Sequence, residues 1–325
     1  MTTIKVAGLD VWTPEVRAAV LANIPAEFEI AFADTYDPTE QAALAADADI
    51  ILTGWAEVTA EMIAAAPRLK MIQKWGIGLE RIDLEACEAA GIAVAITAGG
   101  NASVVAEHAI MLMLSVLRRL SMVDQAAREG RWLFDKMRGI CMKLSGKTVG
   151  LVGFGHIGQS VARKLMGFEV DVIYSDLARR DAEVERRCNA RYVSFEELIA
   201  QSDIVSLHIP GGAENEKLIN ADVIKRMKER SVLINVSRGD IVDEDALYDA
   251  LVSGHLMGAG LDVFDPEPPQ PGVGLLTLEQ VVITPHTAGS VLDNVPNVAR
   301  HAFGNMQKFL SNQPFTPADE VLPRP

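Results

Sequence analysis

The chain has 325 residues, 49% of them hydrophobic and 23% charged, which is the composition of a folded globular protein and excludes a disordered or fibrous one. Its formal net charge of −14 disfavours nucleic acid and anionic membrane surfaces as partners. The three cysteines, Cys87, Cys141 and Cys188, are too widely spaced for a zinc site or a disulfide framework, and the N-terminus lacks a secretory signal pattern. We therefore expect reduced thiols, a cytoplasmic location and no bound metal.

The first third of the chain alternates short apolar runs with helical segments, beginning with Ile4–Leu9, Glu15–Leu21 and Phe28–Phe32. This β-α-β-α order predicts a parallel sheet with helices on both faces. The loop Lys74–Gly78 follows the predicted strand Met71–Gln73 and contains two glycines. Because loops at the carboxyl ends of parallel strands face the ligand crevice, this loop is a candidate binding segment.

The middle of the chain begins with a helix that is apolar nearly all round, from Val104 to about Leu120, and we expect it to be buried. It is too short to cross a bilayer, so no membrane partner is expected. A polar helix over Val123–Glu129 and a loop with Trp132 follow, and Trp132 is interpreted as a packing residue.

The stretch Thr148–Asp176 has the pattern of a strand, a glycine-rich turn, a helix and a second strand that ends in an acid. In its G-x-G-x-x-G turn, Gly153 permits the tight bend, Gly155 lets the backbone approach a pyrophosphate, and Gly158 lets the helix pack on the strand. The N–H groups and the positive dipole end of the helix then face the phosphates. Such a turn alone is weak evidence, and a plain βαβ unit is the alternative, but the full pattern predicts dinucleotide binding.

Asp176 stands 18 residues after the last glycine of the turn, near the offset of the carboxylate that binds the adenosine ribose. A carboxylate there repels a 2′-phosphate, which favours NAD over NADP. Arg179 and Arg180 leave NADP open, because an arginine beside the ribose can accept that phosphate.

The last third of the chain continues the alternation with apolar strands over Ile204–Ile209, Val232–Val236, Ala259–Val263 and Val281–Thr284. Residues 291–310 are predicted to be helical despite a proline at position 296. Parallel strands separated by helices again predict a doubly wound sheet.

Arg238, Glu267 and His286 follow the last three of these strands, so we expect them at one edge of the sheet beside the nicotinamide. A guanidinium can bind the carboxylate and the carbonyl oxygen of a 2-keto acid through parallel hydrogen bonds. An imidazole exchanges a proton near neutral pH, and a carboxylate on its other nitrogen favours the protonated form. Taken alone, His286 is interpreted as structural and Glu267 as a solvated acid. Arg238 alone is interpreted as a helix cap or as a partner of Asp240 or Asp243. Taken together, they predict hydride transfer to a carbonyl.

Several motifs in the same order carry a family resemblance over nearly all of the chain: WGIGLERIDLEAC, NASVVAEHA, LVGFGHIGQSVARKL, INVSRGDIVDEDAL, GAGLDVFDPEPP and ITPHTAG. The chain resembles the D-isomer-specific 2-hydroxyacid dehydrogenases, which include phosphoglycerate, glycerate, hydroxypyruvate and D-lactate dehydrogenases. The resemblance implies an α/β protein of two doubly wound parallel-sheet domains. A Rossmann-type cofactor domain, residues 100–290, would be inserted in a flavodoxin-like substrate domain, residues 1–99 and 291–325. It also implies a homodimer formed through the cofactor domain and its helix 104–120.

The resemblance further implies roles for individual residues. Arg238, Glu267 and His286 would be the catalytic residues, with His286 as the acid and base acting on a 2-keto or D-2-hydroxy acid. The backbone of Gly76, Ile77 and Gly78 would hold the substrate carboxylate. Besides the three glycines of the turn, the positions expected to contact NAD are Val104, His156, Ile157, Asp176, His208, Pro210, Asn235, Val236, Ser237, Asp262, Ala288 and Gly289.

Departures from the family pattern leave alternatives open. The family often has Pro-Leu-Thr after the strand Ile204–Ile209, where this chain has Pro210, Gly211 and Gly212. Lys74 stands where phosphoglycerate-oxidising relatives tend to carry arginine, and it either binds a phosphate or is a solvated surface residue. Two other functions stay under consideration: a non-enzymatic NAD-sensing interaction protein of the corepressor type, and a dehydrogenase of phosphite or another oxyanion.

Overall fold

A computed structural model describes residues 3–272 and 274–324. The chain divides into two compact units. The first unit comprises Met1–Asn101 and Val291–Pro325, and the second comprises Ala102–Ser290. The roles of substrate and cofactor domain for these units remain predictions.

The helices and strands alternate along the chain. Up to residue 101 they are β1 (Ile4–Gly8), α1 (Pro14–Leu21), β2 (Phe28–Phe32), α2 (Pro38–Ala46), β3 (Ile50–Thr53), α3 (Ala60–Ala64), β4 (Met71–Lys74), α4 (Leu84–Ala89) and β5 (Ala93–Ala95). The second unit contains α5 (Ala102–Arg118), α6 (Leu120–Arg128), α7 (Phe134–Ile140), β6 (Thr148–Val152), α8 (His156–Leu165), β7 (Asp171–Ser175), α9 (Ala182–Cys188), β8 (Ala190–Tyr192), α10 (Phe195–Gln201), β9 (Ile204–Leu207), α11 (Ala221–Arg226), β10 (Ser231–Asn235), α12 (Glu244–Val252), β11 (Leu256–Leu261) and β12 (Val281–Ile283). The chain then returns to the first unit with α13 (Val295–Leu310) and β13 (Glu320–Leu322).

The sheet of the first unit has the strand order β2-β1-β3-β4-β5 with β13 added beyond β5. Strands β1 to β5 are parallel and follow the flavodoxin-like order. The tail strand β13 pairs with β5 in the antiparallel direction, so the expectation of a purely parallel sheet is wrong at this edge. The added strand covers the backbone groups that β5 would otherwise expose.

The sheet of the second unit is parallel throughout, in the order β8-β7-β6-β9-β10-β11-β12. This is the Rossmann order with one more strand, and it confirms the predicted fold class. Successive side chains of β10 enter opposite cores: Val232 and Ile234 pack on one face and Leu233 on the other. Each such fully buried aliphatic side chain stabilises the fold by about 1.5–3 kcal/mol, which is why these strands are continuously apolar.

Several elements differ from the sequence expectations. No element is predicted between Asp176 and Ile204, where the structure has α9, β8 and α10. Strand β8 is a short edge strand whose residues are only partly buried, so no apolar run marks it. Helix α7 occupies the predicted loop and buries none of its residues. Trp132, just before it, is 82% exposed, so its interpretation as a packing residue is wrong.

The closing helix begins later than predicted, and its proline explains the boundary. Helix α13 starts at Val295, which places Pro296 in the first turn. A proline there lacks only an N–H that has no partner within the helix, and its ring restrains φ to a helical value. The predicted helix over residues 291–310 is therefore shorter by its first four residues.

Candidate active site

The glycine-rich turn joins β6 to α8. Gly153 has φ +91°, and a Cβ there would overlap the carbonyl oxygen of His208, while a Cβ on Gly158 would overlap the carbonyl oxygen of Gly153. These two glycines are therefore required by the protein itself. A Cβ on Gly155, at the N-cap of α8, would have no protein atom within 4 Å. That open space adjoins the N–H groups at the start of α8, so the residues present fit a dinucleotide pyrophosphate.

Asp176, at the end of β7, lies against the same turn. Its Oδ2 accepts the N–H of Phe154 over 2.8 Å and contacts the guanidinium of Arg180 at 2.8 Å. Arg179 instead makes a two-point contact with Glu185 at 2.9 Å. Of the two arginines, only Arg180 contacts the carboxylate that is predicted to bind the ribose.

His286 and Glu267 form a hydrogen-bonded pair in the second unit. The imidazole Nδ1 lies 2.8 Å from Glu267 Oε2, and Glu267 Oε1 accepts the N–H of Phe264 over 3.0 Å. The Glu267 side chain is 19% exposed, so its interpretation as a solvated loop acid is wrong. Burial raises the pKa of this carboxyl, but the hydrogen bond and charge of His286, with the charge of Arg238, outweigh burial, so the pKa lies below its ordinary value.

Arg238 lies close enough to Glu267 for its charge to lower the pKa of that carboxyl, and Glu267 contacts His286, so the structure brings the three predicted catalytic residues together. Each follows a strand at the carboxyl edge of one sheet: Arg238 follows β10, Glu267 follows β11 and His286 follows β12. His286 has φ +53°, a left-handed backbone conformation that costs a residue with a Cβ about 1–3 kcal/mol. Such strain persists only where surrounding contacts enforce it.

The turn that carries Arg238 is held by Asn235. The amide nitrogen of Asn235 donates to the carbonyl oxygen of Arg238 over 2.7 Å, and its Oδ1 accepts from the N–H and the hydroxyl of Ser237 at 3.0 and 2.8 Å. Asn235 is 1% exposed. It therefore holds the Arg238 turn, a function that its prediction as a cofactor contact did not include.

His208 lies after β9 with its ring largely enclosed. Its Nε2 is 2.9 Å from the hydroxyl of Ser206, and its Nδ1 is buried with no hydrogen-bond partner among the described residues. Burial lowers the pKa of His208 to about 3, so the imidazole is neutral at physiological pH. An unpartnered ring nitrogen on a residue whose carbonyl oxygen lies beside Gly153 of the glycine turn suits the predicted contact with a cofactor.

The other predicted cofactor positions lie around the same sheet edge. Val236, Ser237, Asp262 and Ala288 are buried, Ile157 and Val104 are half-buried, and His156, Pro210 and Gly289 are exposed. Their contacts with NAD remain predictions.

In the first unit, the loop after β4 differs from expectation at two positions. The N–H of Gly76 donates to the hydroxyl of Thr97 over 2.8 Å, so it is already used within the unit. The N–H groups of Ile77 and Gly78 have no hydrogen-bond partner in the described part of the chain. Lys74 is 5% exposed and donates to the carbonyl oxygen of Gly54, so its interpretation as a solvated surface residue is wrong.

Comparison with known proteins places this geometry in a family. The model of the D-isomer specific 2-hydroxyacid dehydrogenase NAD-binding domain matches residues 110–288. The chain belongs to this family. The predicted recognition, enzyme class and NAD cofactor are thereby confirmed.

Individual relatives carry different names. The chain is 38% identical to a D-3-phosphoglycerate dehydrogenase of Archaeoglobus fulgidus over 80% of its own length, but it spans only 50% of that relative. It is 34% identical to a glyoxylate reductase of Korarchaeum cryptofilum over 91% of each chain. The crystal structure of an NAD-dependent formate dehydrogenase from Staphylococcus aureus in complex with NAD matches with a TM-score of 0.84 and 30% identity, covering 98% of this chain and 99% of that one.

The departure from the family's Pro-Leu-Thr pattern has a structural reason. Oδ2 of Asp240 accepts the N–H of Gly212 over 2.7 Å. A Cβ on Gly211 would lie 2.7 Å from Asp240 Oδ1 and 2.9 Å from Arg238 Cγ, and Gly212 has φ +102°. The two glycines therefore make room for the Asp240 carboxylate, which ties the loop after β9 to the turn that carries Arg238.

The described residues contain neither a candidate metal site nor a membrane-spanning helix. Within residues 3–272 and 274–324, no three His, Cys, Asp or Glu side chains are grouped so that they could hold a metal ion. None of the helices described has the length and apolar character needed to span a membrane.

Proposed function

We propose that this dehydrogenase interconverts a small 2-keto acid and the corresponding D-2-hydroxy acid with NAD(H). The observation that carries the proposal is the 2.8 Å pairing of His286 Nδ1 with Glu267, within reach of the charge of Arg238. An imidazole backed by a carboxylate and accompanied by a guanidinium supplies the acid, the base and the anion anchor that a 2-keto acid requires.

Each side chain has a separate task in this mechanism. When bound, the reduced cofactor supplies the hydride. Arg238 binds the substrate carboxylate and polarises the carbonyl oxygen, which develops negative charge. Because Nδ1 of His286 is engaged by Glu267, the other ring nitrogen, Nε2, gives its proton to that oxygen during reduction and takes it back during oxidation. The Glu267 carboxylate stabilises the charged imidazolium before the transfer.

The loop after β4 supports a choice among substrates. Within the first unit, we propose that the N–H groups available to an acid are those of Ile77 and Gly78, because the N–H of Gly76 is used by Thr97. Lys74 is buried, and its ammonium group donates a hydrogen bond to the carbonyl oxygen of Gly54. This contact gives no support to a phosphate-binding role of Lys74. Unphosphorylated acids such as glyoxylate and hydroxypyruvate are therefore our first candidates, ahead of phosphohydroxypyruvate.

We also infer a homodimer in the cytoplasm. The segment between α5 and β6 exposes large apolar side chains, with Leu120 at 54%, Trp132 at 82% and Phe134 at 63%. Exposed aromatic side chains of this size are typical of an interface with another protein. The free cysteines of the described chain, two of which are buried, agree with a reducing compartment.

A steady-state assay tests the function. Purified protein with NADH should consume the cofactor in the presence of glyoxylate, hydroxypyruvate, pyruvate or phosphohydroxypyruvate, and the rate should exceed that of an Arg238→Ala control at every effective substrate. Tight NADH binding with no turnover of any of these acids would instead favour an NAD-sensing protein. Turnover of phosphite alone would favour the oxyanion alternative.

A further inference from the structure

A chain of three side chains links α5 to the loop that carries His286. His108 on α5 has a side chain that is only 14% exposed, and its Nε2 lies 2.9 Å from the hydroxyl oxygen of Thr284. The Thr284 hydroxyl in turn donates to Asp262 Oδ1 over 2.5 Å. Because that hydroxyl has one proton and gives it to Asp262, it accepts from His108. His108 therefore carries its proton on Nε2.

Asp262 accepts hydrogen bonds from the backbone around His286. Its carboxylate accepts the N–H of Thr287 at Oδ1 and the N–H of Ala288 at Oδ2, both over 2.9 Å. Its own carbonyl oxygen accepts the N–H of His286 over 2.7 Å. One residue that is 1% exposed thus fixes three consecutive N–H groups, at residues 286, 287 and 288.

These contacts act where the backbone is strained. His286 has φ +53°, and a residue with a Cβ keeps this conformation only when neighbouring groups enforce it. The buried charge of Asp262 is balanced by hydrogen bonds from the loop and from Thr284, and such charge-assisted bonds are short and strong. Burial lowers the pKa of His108, and the charge of Asp262 offsets this only in part, so His108 is a neutral donor at neutral pH.

We propose that His108, Thr284 and Asp262 are positioning residues that hold His286 in the geometry of proton transfer. The inference rests on the proposed function, because it assigns these residues an effect on the chemical step. Removing the Thr284 hydroxyl would deprive Asp262 of one donor and leave the Nε2–H of His108 with only the longer contact to Asp262 Oδ1, at 3.5 Å, in a largely buried place. The loop would then relax around His286, while the glycine turn, which belongs to β6 and α8, would keep its shape. The expected loss is therefore larger in turnover than in cofactor binding, to which Asp262, Ala288 and Gly289 are also predicted to contribute.

The test compares Thr284→Val, which keeps the shape and removes the hydroxyl, with Thr284→Ser, which keeps the hydroxyl. The assay uses NADH and whichever of glyoxylate and hydroxypyruvate the wild type reduces faster. We expect Thr284→Val to lower kcat by about 10- to 100-fold, because small displacements of catalytic groups have effects of this size. The Kd of NADH, measured by fluorescence, should change by a smaller factor than kcat, since the contacts of the glycine turn are kept and only the loop near Asp262 is disturbed. The primary isotope effect with NADH deuterated at the transferred position should rise, and Thr284→Ser should restore kcat.

Variants of His108 test the same proposal independently of Thr284. His108→Leu should reproduce the loss of kcat, and His108→Gln, which keeps an N–H donor, should recover part of it. His255→Leu is the matched control, because the ring of His255 is also half-buried and hydrogen-bonded, to the carbonyl oxygen of Ile224 over 2.9 Å, but has no contact with the His286 loop. If Thr284→Val does not fold, the kcat of His108→Leu, compared with the kcat of Thr284→Ser, tests the proposal.

The outcomes separate the two proposals. A wild type without turnover refutes the proposed function, and a crystal structure of Thr284→Val then decides the inference: a lost contact between His286 and Glu267 supports it, and an unchanged contact overturns it. A wild-type kcat in both Thr284→Val and His108→Leu also overturns it. A loss of NADH affinity equal to the loss of kcat would show that these residues bind the cofactor and do not position His286.

Discussion

Glu267 and His286 illustrate how one pair of side chains links folding to catalysis. The pKa of Glu267 is lowered in the folded chain, although its burial acts in the opposite direction. A carboxyl with a lowered pKa stabilises the fold at pH values above its unfolded value of about 4.3, and this contribution is lost as the pH falls through the folded pKa. The ionised carboxylate that holds Nδ1 of His286 thus also stabilises the loop after β11.

Glu267→Gln tests this link at the level of one residue. The amide keeps the size of the side chain but removes the charge, so we expect kcat for reduction to fall by about 10- to 100-fold, because the imidazolium loses its stabilising partner. Chemical denaturation at several pH values should give a free energy of unfolding below that of the wild type above about pH 5, and the difference should vanish under more acidic conditions. A variant with wild-type kcat at neutral pH would remove Glu267 from the mechanism.

The stability of the fold should depend on pH through His208, because the pKa of this residue is lowered to about 3 in the folded chain. Below about pH 6.5 the unfolded chain binds a proton at this residue, while the folded chain does not. The free energy of unfolding therefore declines as the pH falls from about 6.5 to about 3. This one group contributes a slope of at most about 1.4 kcal/mol per pH unit. His208→Gln should flatten the decline of the free energy of unfolding measured by urea titration between pH 6 and pH 4. An unchanged slope would show that the ring is protonated in the folded protein.

At the scale of elements, the β6–α8 junction separates what the fold requires from what the cofactor requires. A Cβ on Gly153 or Gly158 would overlap a carbonyl oxygen of the protein, whereas a Cβ on Gly155 would have no protein atom within 4 Å. The same three-glycine pattern therefore contains two kinds of constraint, and sequence alone does not distinguish them.

Gly155→Ala and Gly158→Ala form a matched pair that tests this distinction. Gly155→Ala should leave the melting temperature nearly unchanged and weaken NADH binding by at least about tenfold, because the new methyl group occupies the space that suits the pyrophosphate. Gly158→Ala should lower the free energy of unfolding by about 1–3 kcal/mol, because its Cβ meets the Gly153 carbonyl oxygen. Calorimetry and NADH fluorescence titration give the two quantities. Wild-type NADH affinity in Gly155→Ala would contradict the assignment of this space to the cofactor.

The elements that could be predicted from sequence are those marked by buried apolar runs and by glycine. The strand β6 and the helix α8 could be predicted, because Val149–Val152 is an apolar run and the glycine-rich turn that begins at Gly153 follows it directly. The edge strand β8 and the helix α7 carry no such signal, since one is only partly buried and the other buries nothing. Burial by the rest of the chain creates the pattern that sequence analysis detects, and elements with little burial escape it.

At the scale of the whole molecule, the same limit applies to the site. Arg238, Glu267 and His286 could be predicted because strand order brings the ends of β10, β11 and β12 to one edge. The anchoring of the Arg238 turn by Asn235 and the use of the Gly76 N–H by Thr97 could not, because both depend on which of several donors and acceptors meet after folding. The family resemblance indicates which positions belong to the site, whereas the hydrogen bonds in the folded chain determine the role of each residue there.

The assembly of the molecule yields a further prediction. Trp132→Ser combined with Phe134→Ser removes the two most exposed aromatic side chains of the segment between α5 and β6. If this segment forms the interface of a homodimer, light scattering after size exclusion should give twice the mass of the 35.1 kDa chain for the wild type and a lower mass for the double variant. Leu177→Ser, on an exposed leucine elsewhere in the second unit, serves as the control and should not change the mass. A monomeric wild type would contradict the dimer.

We propose that His286, held by Glu267, transfers the proton that accompanies hydride transfer to a 2-keto acid. The most direct measurement is a single-turnover experiment in which enzyme preloaded with NADH is mixed with glyoxylate or hydroxypyruvate, for the wild type and for His286→Ala. We expect rapid loss of NADH absorbance in the wild type and a rate lower by about 100- to 10,000-fold in the variant, the range expected for loss of a general acid. Equal rates for the two proteins at neutral pH would contradict it.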